Sequence, residues 1–150
     1  MRFFSRTPVR TFVIYPAIAI VWELAMERSQ FQANLWYLPL MLWGYLQYRL
    51  CGRYRVTRGG GGPGVETPPE RLVATGLYGY TRNPMYLGHI IFLIGLTLTL
   101  KSWLAALITI ATAIWFHSRV VGDEKKLIQT LGQPYVNYLA SVKRWVPGLF

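Results

Sequence analysis

A short polar segment stands directly before an apolar one at residues 76–95, which read GLYGYTRNPMYLGHIIFLIG. Asn83 and Pro84 form a typical helix start. Asparagine is a favoured N-cap, and proline suits the first helical position because its missing N–H would be unpaired there. The first backbone N–H groups of such a helix carry partial positive charge and can hold a carboxylate or phosphate. Because Arg82 adds a full positive charge, the segment predicts an anion-binding helix start.

The same residues also fit a simpler role at a membrane surface. Arg82 would then contact lipid headgroups, and Tyr78, Tyr80 and Tyr86 would form an interfacial aromatic belt. This stretch by itself leaves both interpretations open.

Acidic residues and tyrosines follow the next apolar segment, in RVVGDEKKLIQTLGQPYVNYLASVKRWVP, residues 119–147. Asp123 comes four residues after Arg119, so the two side chains can pair on one helix face. Gly132 is placed to end this helix, and Pro134 to begin another. An amphipathic helix on the membrane surface explains the lysines and leucines but not the two adjacent acids. Those acids, aimed at a basic helix start, favour a ligand that is a cation with its own carboxylate.

These motifs belong to an apolar chain of 150 residues, of which 53% are hydrophobic and only 15% charged. Soluble domains carry about a quarter charged residues, so the composition predicts a small polytopic membrane protein of one domain. The net charge of +10 comes from residues that flank apolar segments, which argues against nucleic-acid binding. A single cysteine excludes an internal disulfide and a Cys-rich metal site, and the two histidines lie in separate apolar segments.

Four apolar segments predict four transmembrane helices in an all-α fold. They cover residues 9–26, 34–50, 85–100 and 103–121, each near the ~17-residue minimum for a spanning helix. Lys101 and Ser102 alone separate the last two, which predicts a tight hairpin. Pro16 and Pro39 fall inside the first two segments and predict kinks. The rest of the single domain 1–150 is a cytosolic loop, 51–84, and a cytosolic tail, 122–150.

Basic residues alternate between the connections and so predict an orientation. The N-terminus, the second connection and the C-terminal tail are rich in arginine and lysine, whereas the first and third connections carry few. The positive-inside rule places both termini and the loop in the cytoplasm. We expect a cytoplasmic (inner) membrane of a bacterium, with an N-terminal segment that is retained because it does not have the form of a cleavable signal.

The two motifs together resemble those of a known family. GLYGYTRNPMYLG is similar to the Gly-x-Tyr-x-x-x-Arg-His-Pro-x-Tyr-x-Gly motif of the isoprenylcysteine carboxyl methyltransferase and phospholipid methyltransferase families. DEKKLIQTLGQPYVNYLASVKRWVP resembles their Glu-Glu-x-x-Leu segment, followed by Phe-Gly-x-x-Tyr-x-x-Tyr and a closing Arg-x-x-Pro. The resemblance covers roughly residues 72–147, with both motifs in the right order. It departs at Asn83, which replaces the histidine, and at Asp123, which replaces the first glutamate.

The resemblance implies an integral-membrane methyltransferase that uses S-adenosylmethionine, needs no metal, and acts on a lipophilic acceptor entering from the bilayer. An isoprenylcysteine-like carboxyl or thiol acceptor is favoured because no clear general base is present. Arg82, Asn83 and Glu124 are the candidate catalytic residues; Arg82 would hold the cofactor carboxylate, and Glu124 would bind its amino or ribose groups. By motif match, the cofactor site would contain Tyr78, Arg82, Asn83, Pro84, Tyr86, Gly88, Asp123, Glu124, Tyr135, Tyr138 and Arg144.

Three other functions remain open. A phospholipid N-methyltransferase would use the same cofactor with an amine acceptor. A nicotinamide-dependent membrane reductase related to sterol reductases would be expected to be larger, with more spans. A non-catalytic membrane protein, such as a transporter subunit or assembly factor, would tolerate replacement of Arg82, Asn83 and Glu124. The expected partners are membrane lipids and a lipophilic or lipidated acceptor, with no nucleic acid and no metal.

Overall fold

The computed structural model describes residues 6–26, 33–62 and 67–145. Within these ranges every regular element is helical, which confirms the predicted all-α class. Residues 63–66 of the predicted loop and 146–150 of the predicted tail lie outside them. The α-helices are α1 (Thr7–Val9), α2 (Tyr15–Met26), α3 (Leu38–Gly59), α4 (Pro84–Leu100), α5 (Trp103–Leu131) and α6 (Gln133–Ser141), and short 3₁₀ turns cover Leu35–Tyr37 and Gly76–Gly79.

The first apolar segment is helical throughout but contains one wider turn. A π-helical turn at Arg10–Ile14 joins α1 to α2. Pro16 is the second residue of α2, and a proline leaves the carbonyl four residues earlier, here that of Phe12 in the turn, without its usual N–H partner. A π turn is one way in which a helix accommodates such a defect. The irregularity predicted at Pro16 therefore takes the form of this turn.

The second apolar segment begins its α-helix later and ends it later than predicted. The Asn34 side chain accepts a hydrogen bond from the Trp36 backbone N–H at 3.2 Å, and the 3₁₀ turn then leads into α3. Pro39 is the second residue of α3, where no intrahelical N–H bond is required. The kink predicted at Pro39 is wrong for that reason. At its other end, α3 continues past the predicted boundary at Leu50 to Gly59.

The predicted helix boundaries around the hairpin are confirmed. Helix α4 begins at Pro84, and α5 begins at Trp103 immediately after the Lys101–Ser102 connection. Lys101 adopts a positive φ of 50°, and the Ser102 hydroxyl accepts a hydrogen bond from the Ala105 N–H at 3.1 Å, as an N-cap does. The hairpin is thus a two-residue turn closed by a local cap.

The C-terminal helices follow the predicted stop and start signals. Helix α5 continues beyond residue 121 to Leu131, so the acidic pair lies on the helix itself. Gly132 then adopts a φ of 63°, a conformation that suits glycine, and ends the helix. Pro134 falls in the first turn of α6, as predicted. Tyr135 and Tyr138 are both buried, and their rings pack together with centroids 5.9 Å apart.

The chain forms two compact units, and each contains parts of α3, α4 and α5. The first comprises Met1–Leu46 and Gly88–Ile114, and the second Gln47–Leu87 and Trp115–Phe150. In the first unit α3 and α4 approach closely, since a Cβ atom on Gly44 would lie 2.5 Å from the backbone nitrogen of Phe92. The core of this unit contains Ala19, Phe92, Leu93, Leu96, Leu100 and Ala105.

Among the described residues, two helical stretches are long and apolar enough to cross a membrane, Thr7–Met26 and Trp103–Leu131. Helix α4 is also apolar but has only 17 residues. Large apolar side chains are exposed along the helices and at their ends, including Trp36 at 90% and Trp103 at 87%. These features favour a membrane protein, because such side chains are stable against lipid and costly against water.

Candidate functional site

A cavity within the second unit is lined by residues from both sequence motifs. It holds about 690 Å³ of space, counting the part that is open to solvent. The predicted site residues that line it are Tyr78, Arg82, Asn83, Pro84, Tyr86, Asp123, Glu124, Tyr135 and Tyr138. The fold therefore brings the polar helix start and the acidic pair to one place.

Glu124 is the centre of a buried ion-pair cluster at this cavity. Its Oε1 atom lies 3.0 Å from the Arg82 Nη2 atom. Arg144 donates to both carboxylate oxygens, from Nε to Oε1 at 3.1 Å and from Nη2 to Oε2 at 2.7 Å. Such a two-bond pairing is strong and geometrically specific. Arg144 itself is not in the cavity lining, so it contributes to the site through Glu124.

One buried nitrogen of Arg82 has no hydrogen-bond partner among the described residues. Its Nη1 atom donates to the Leu139 carbonyl at 2.8 Å, and Nη2 pairs with Glu124. The Nε atom is buried and has no hydrogen-bond partner in the part of the chain that the structure describes. Leaving a buried donor unsatisfied costs about 1–3 kcal/mol, so this group is ready for an acceptor on a ligand.

The C-terminal segment that follows α6, residues 142–145, is joined to the residues before α4 by three hydrogen bonds. The Arg82 backbone N–H donates to the Lys143 carbonyl at 3.0 Å. The Thr81 hydroxyl and the Asn83 side-chain amide both donate to the Arg144 carbonyl, at 3.1 Å and 3.2 Å. Asn83 therefore holds the tail segment beside the cavity, and its own backbone carbonyl accepts the Leu87 N–H at 2.9 Å as α4 begins.

Asp123 is held by two neighbours. Its Oδ2 atom accepts a hydrogen bond from the Tyr86 hydroxyl at 3.2 Å, and the Arg119 Nε atom lies 3.7 Å from the same oxygen. The predicted pairing of Arg119 and Asp123 four residues apart is confirmed. The Tyr86 ring also packs against Phe116, with ring centroids 4.7 Å apart. These contacts fix the position of the Tyr86 ring at the cavity.

Buried tyrosines form another side of the cavity. The Tyr138 hydroxyl donates to the Tyr78 carbonyl, and the Tyr78 hydroxyl donates to the Cys51 carbonyl at 3.4 Å. Burial raises the pKa of Tyr135 to about 12 and also raises the pKa of Tyr78 and of Tyr138. These side chains are therefore neutral at physiological pH and present hydroxyl groups and aromatic faces.

Besides Arg144, one predicted residue does not line the cavity, and several lining residues were not predicted. Gly88 is one turn further along α4, and its carbonyl oxygen would be 2.6 Å from a Cβ atom on Gly44, which indicates a role in helix packing. Arg55 was missed because the predicted helix ended at Leu50; continuing α3 to Gly59 brings Arg55 to the cavity. The other unpredicted lining residues are Pro69, Arg71, Leu72, Val73, Met85, Val120, Leu127 and Leu131.

Comparison with known proteins identifies the segment that carries this site. The sequence profile of the phospholipid methyltransferase family matches residues 62–131. That range contains the polar helix start, the helical hairpin and the acidic pair. Residues 62–131 are therefore similar to the phospholipid methyltransferase family. The family match thus includes Arg82, Asn83 and Glu124, whereas Tyr135, Tyr138 and Arg144 follow its end.

Relatives of this family segment are found in several eukaryotes. The chain is 30% identical over 78 residues to a protein-S-isoprenylcysteine O-methyltransferase of Schizosaccharomyces pombe. It is 32% identical over 80 residues to one of Dictyostelium discoideum, and 36% identical over 78 residues to one of Saccharomyces cerevisiae. These matches cover 51%, 52% and 51% of this chain but 33%, 33% and 32% of those proteins. The chain thus spans about a third of the length of the curated relatives it matches.

Proposed function

We propose that this protein is an integral-membrane methyltransferase that binds S-adenosylmethionine in the cavity of its second unit. The observation that carries the proposal is the convergence of both motifs on one cavity, where Arg82, Glu124 and buried tyrosines meet. The family match and the relatives' names support a methyltransferase. The composition and the exposed apolar helices support the membrane location.

The charged groups of the cavity fit the amino-acid end of this cofactor. The unpaired Arg82 Nε is a suitable donor to a carboxylate, and Met85 and Tyr86 in the first turn of α4 also line the cavity. The N-terminal end of a helix favours an anion for the same electrostatic reason. We assign carboxylate binding to this corner, and we assign attraction of the ammonium group to Asp123.

The aromatic groups fit the positively charged sulfur of the cofactor. Tyr86, Tyr135 and Tyr138 present neutral rings to the cavity, and aromatic faces attract cations at close range. Apolar side chains along α5, such as Leu127 and Leu131, offer a surface for the adenine ring. One cavity therefore provides complementary surfaces for each chemical part of the cofactor.

Glu124 has a different role in this proposal from the one that the motif suggested. Both of its oxygens already accept bonds from Arg82 and Arg144. We therefore propose that Glu124 is a positioning residue, which neutralises one of the two guanidinium charges and orients Arg82 toward the ligand carboxylate. Direct hydrogen bonds to Glu124 from the amino or ribose groups of the cofactor remain a prediction.

The chemistry requires little from the protein beyond alignment. When bound, the cofactor would supply a methyl group on a sulfonium to an acceptor lone pair in line, and the neutral thioether of S-adenosylhomocysteine would be the leaving group. The side chains described above hold the two reactants in register and exclude water, and such positioning alone supplies large rate accelerations. A carboxylate acceptor is ionised at neutral pH and needs no general base. This favours an isoprenylcysteine-like carboxyl or thiol acceptor that enters from the bilayer.

A phospholipid amine is the second candidate acceptor, and the description of the matching family favours it. An ammonium headgroup must lose a proton before it can attack. Asp123 is the nearest candidate base, but one of its oxygens already accepts from Tyr86 and lies near Arg119. An amine acceptor would therefore require that pairing to loosen.

We propose a membrane topology of four spans, formed by the α1–α2 stretch, the first part of α3, α4 and the first part of α5. Both termini and the 51–84 loop would face the cytoplasm, in agreement with the distribution of basic residues. Location in the inner membrane of a bacterium remains a prediction. Because α3, α4 and α5 each contribute to both compact units, we treat residues 1–150 as a single domain.

The test is calorimetric titration of the detergent-purified protein with S-adenosylhomocysteine, the demethylated product. The parent should bind with a Kd of about 1 μM, a common strength for cofactor sites. Arg82→Gln should abolish binding, whereas Lys143→Gln, an equal charge change at an exposed side chain of the tail, should not. Absence of binding by the parent in lipid-supplemented detergent would overturn the proposal, and binding of reduced nicotinamide would then favour a reductase.

A further inference from the structure

A groove in the second unit lies beside α3. Neither sequence motif predicts a function for it. It is formed by the last part of α3 and the 3₁₀ turn Gly76–Gly79, and we call it the α3 groove. It holds about 930 Å³, counting space open to solvent. Its lining residues are Leu50, Cys51, Arg53, Tyr54, Thr57, Arg58, Gly76, Leu77 and Tyr78.

The charge of the α3 groove is positive. Arg53 and Arg58 line it, and none of the described lining residues is acidic. Helix α3 as a whole carries Arg49, Arg53, Arg55 and Arg58 without a single aspartate or glutamate. Within the described ranges, the carboxylates that form ion pairs are paired with other arginines. Arg53 and Arg58 carry like charges and line the same groove, so an anion bound between them would stabilise this part of α3.

The shape of the α3 groove is set by contacts between its two sides. The Tyr54 hydroxyl and the Thr75 hydroxyl share a hydrogen bond of 2.7 Å, which joins α3 to the residue before the turn. The Arg58 guanidinium lies over the Tyr54 ring, 5.7 Å from its centroid. Gly76 has a positive φ of 62°, and a Cβ atom there would sit only 3.5 Å from the same ring. These contacts make a defined wall beside the two arginines.

The α3 groove also offers apolar surface next to its charge. Leu50 is 58% exposed and Leu77 is 40% exposed, and both line the groove. A small soluble anion would leave these side chains in water. A molecule with both a negative headgroup and a hydrocarbon chain would contact the arginines and the leucines together. Leu50 also marks the end of the second apolar segment, which is where a headgroup would lie.

We infer that the α3 groove binds an anionic phospholipid, with Arg53 and Arg58 holding the headgroup phosphate and Leu50 and Leu77 contacting the acyl chain. The inference rests on the membrane topology proposed above, in which this end of α3 faces the cytoplasmic leaflet. Anionic lipids in that leaflet attract basic residues next to transmembrane helices. The groove is formed by residues outside the proposed cofactor contacts, apart from Tyr78, which lines both.

Native mass spectrometry of the full chain tests this inference. The protein in detergent is titrated with phosphatidylglycerol or with phosphatidylcholine of the same acyl chains. Phosphatidylglycerol should bind more tightly, and Arg53→Gln or Arg58→Gln should each weaken it about fivefold, which converts to about 1 kcal/mol. Phosphatidylcholine binding should not change. Arg49→Gln is the matched control, because Arg49 is on the same helix, is exposed, and does not line the groove.

Two results would overturn the inference. One is equal affinity of the parent for the two lipids; the other is an equal loss of affinity in Arg49→Gln, which would indicate a general charge effect. Arg53→Lys should preserve most of the preference and guards against misfolding of the glutamine variants. Binding of S-adenosylhomocysteine is measured on the same samples. If the parent does not bind S-adenosylhomocysteine, the result would count against the proposed function. The comparison between the two lipids would still be valid.

Discussion

Arg144 binds both carboxylate oxygens of Glu124, at 3.1 Å through Nε and at 2.7 Å through Nη2. The two residues belong to the C-terminal segment and to α5, so this pairing fixes the tail beside the cavity. Arg82 approaches one of the same oxygens at 3.0 Å. The hydrogen bonds to Glu124 also raise the pKa of Arg144, which stays charged at every physiological pH. Several consequences of this cluster can be measured.

Glu124→Gln should both destabilise the protein and prevent binding of S-adenosylhomocysteine. Removing one charge of a buried ion pair leaves the other uncompensated, at a cost of about 3–5 kcal/mol. Thermal unfolding in detergent and calorimetry measure the two effects. Glu70→Gln, which changes an exposed carboxylate of the same unit, is the control and should behave as the parent. Unchanged binding and stability in Glu124→Gln would refute the positioning role.

Arg144→Lys tests the two-bond geometry rather than the charge. A lysine cannot reproduce the paired donors of arginine, so one charge-assisted bond of about 1.5–3 kcal/mol is lost. We expect affinity for S-adenosylhomocysteine to fall at least tenfold in calorimetry, chiefly through faster dissociation. Lys143→Arg, the neighbouring reverse exchange, should have little effect because the Lys143 contact to Arg82 uses only its carbonyl. Parent-like affinity in Arg144→Lys would show that charge alone is sufficient.

Asn83 should be replaceable by the family's histidine but not by an apolar residue. Its side-chain amide donates to the Arg144 carbonyl at 3.2 Å, and a histidine N–H can supply the same bond. Asn83→His should therefore keep product affinity within about twofold, whereas Asn83→Leu should lower it about fivefold, the equivalent of a hydrogen bond worth about 1 kcal/mol. Calorimetric titration of the two variants with S-adenosylhomocysteine measures these affinities. Equal affinities in both would mean that the Asn83 side chain does not hold the tail.

Stability should decrease in strongly alkaline solution because of the buried tyrosines. Burial raises the pKa of Tyr135 from 10.0 to about 12. A group that keeps its proton more tightly when folded stabilises the folded state below its unfolded pKa, and this contribution is lost as pH rises from about 10 to about 12. Thermal unfolding against pH, with tyrosinate absorbance as a second signal, should show the loss. In Tyr135→Phe this alkaline loss of stability should be smaller. An unchanged alkaline profile in that variant would contradict the assignment of the loss to Tyr135.

Gly44→Ala should destabilise the protein through helix packing. Its new Cβ atom would lie 2.5 Å from the Phe92 backbone nitrogen, and overpacking of this kind costs about 1–3 kcal/mol. Gly122→Ala is the matched control, since a Cβ atom there meets no heavy atom within 4 Å. That variant should be neutral or slightly more stable, because alanine is the better helix former. Equal melting temperatures for the two variants would mean that α3 and α4 do not pack as closely as the structure has them.

Local signals in the sequence determined where most helices begin and end. Asn83 and Pro84 predict the start of α4, and Gly132 predicts the end of α5, because caps and stops depend on residues within about one turn. The same reasoning predicted the Arg119–Asp123 pair. Where such a signal was absent the prediction failed. The sequence after Leu50 contains no proline before Gly59, and α3 continues through Gly52, but the arginines in this stretch favoured a cytosolic loop.

The sequence alone also determined much of the inventory of the site, since two ordered motifs contain Arg82 and the acids and tyrosines that line the cavity, whereas Arg55 and Arg71 lie outside them. Only the tertiary structure decided how they are used. It places Arg82 and Arg144 on the same carboxylate, turns the Asn83 amide toward the tail, and directs Gly88 toward Gly44 instead of the cavity. Helix boundaries follow from neighbours along the chain, whereas ion-pair partners come from segments far apart in sequence. Their choice depends on how the helices pack, which no local pattern encodes.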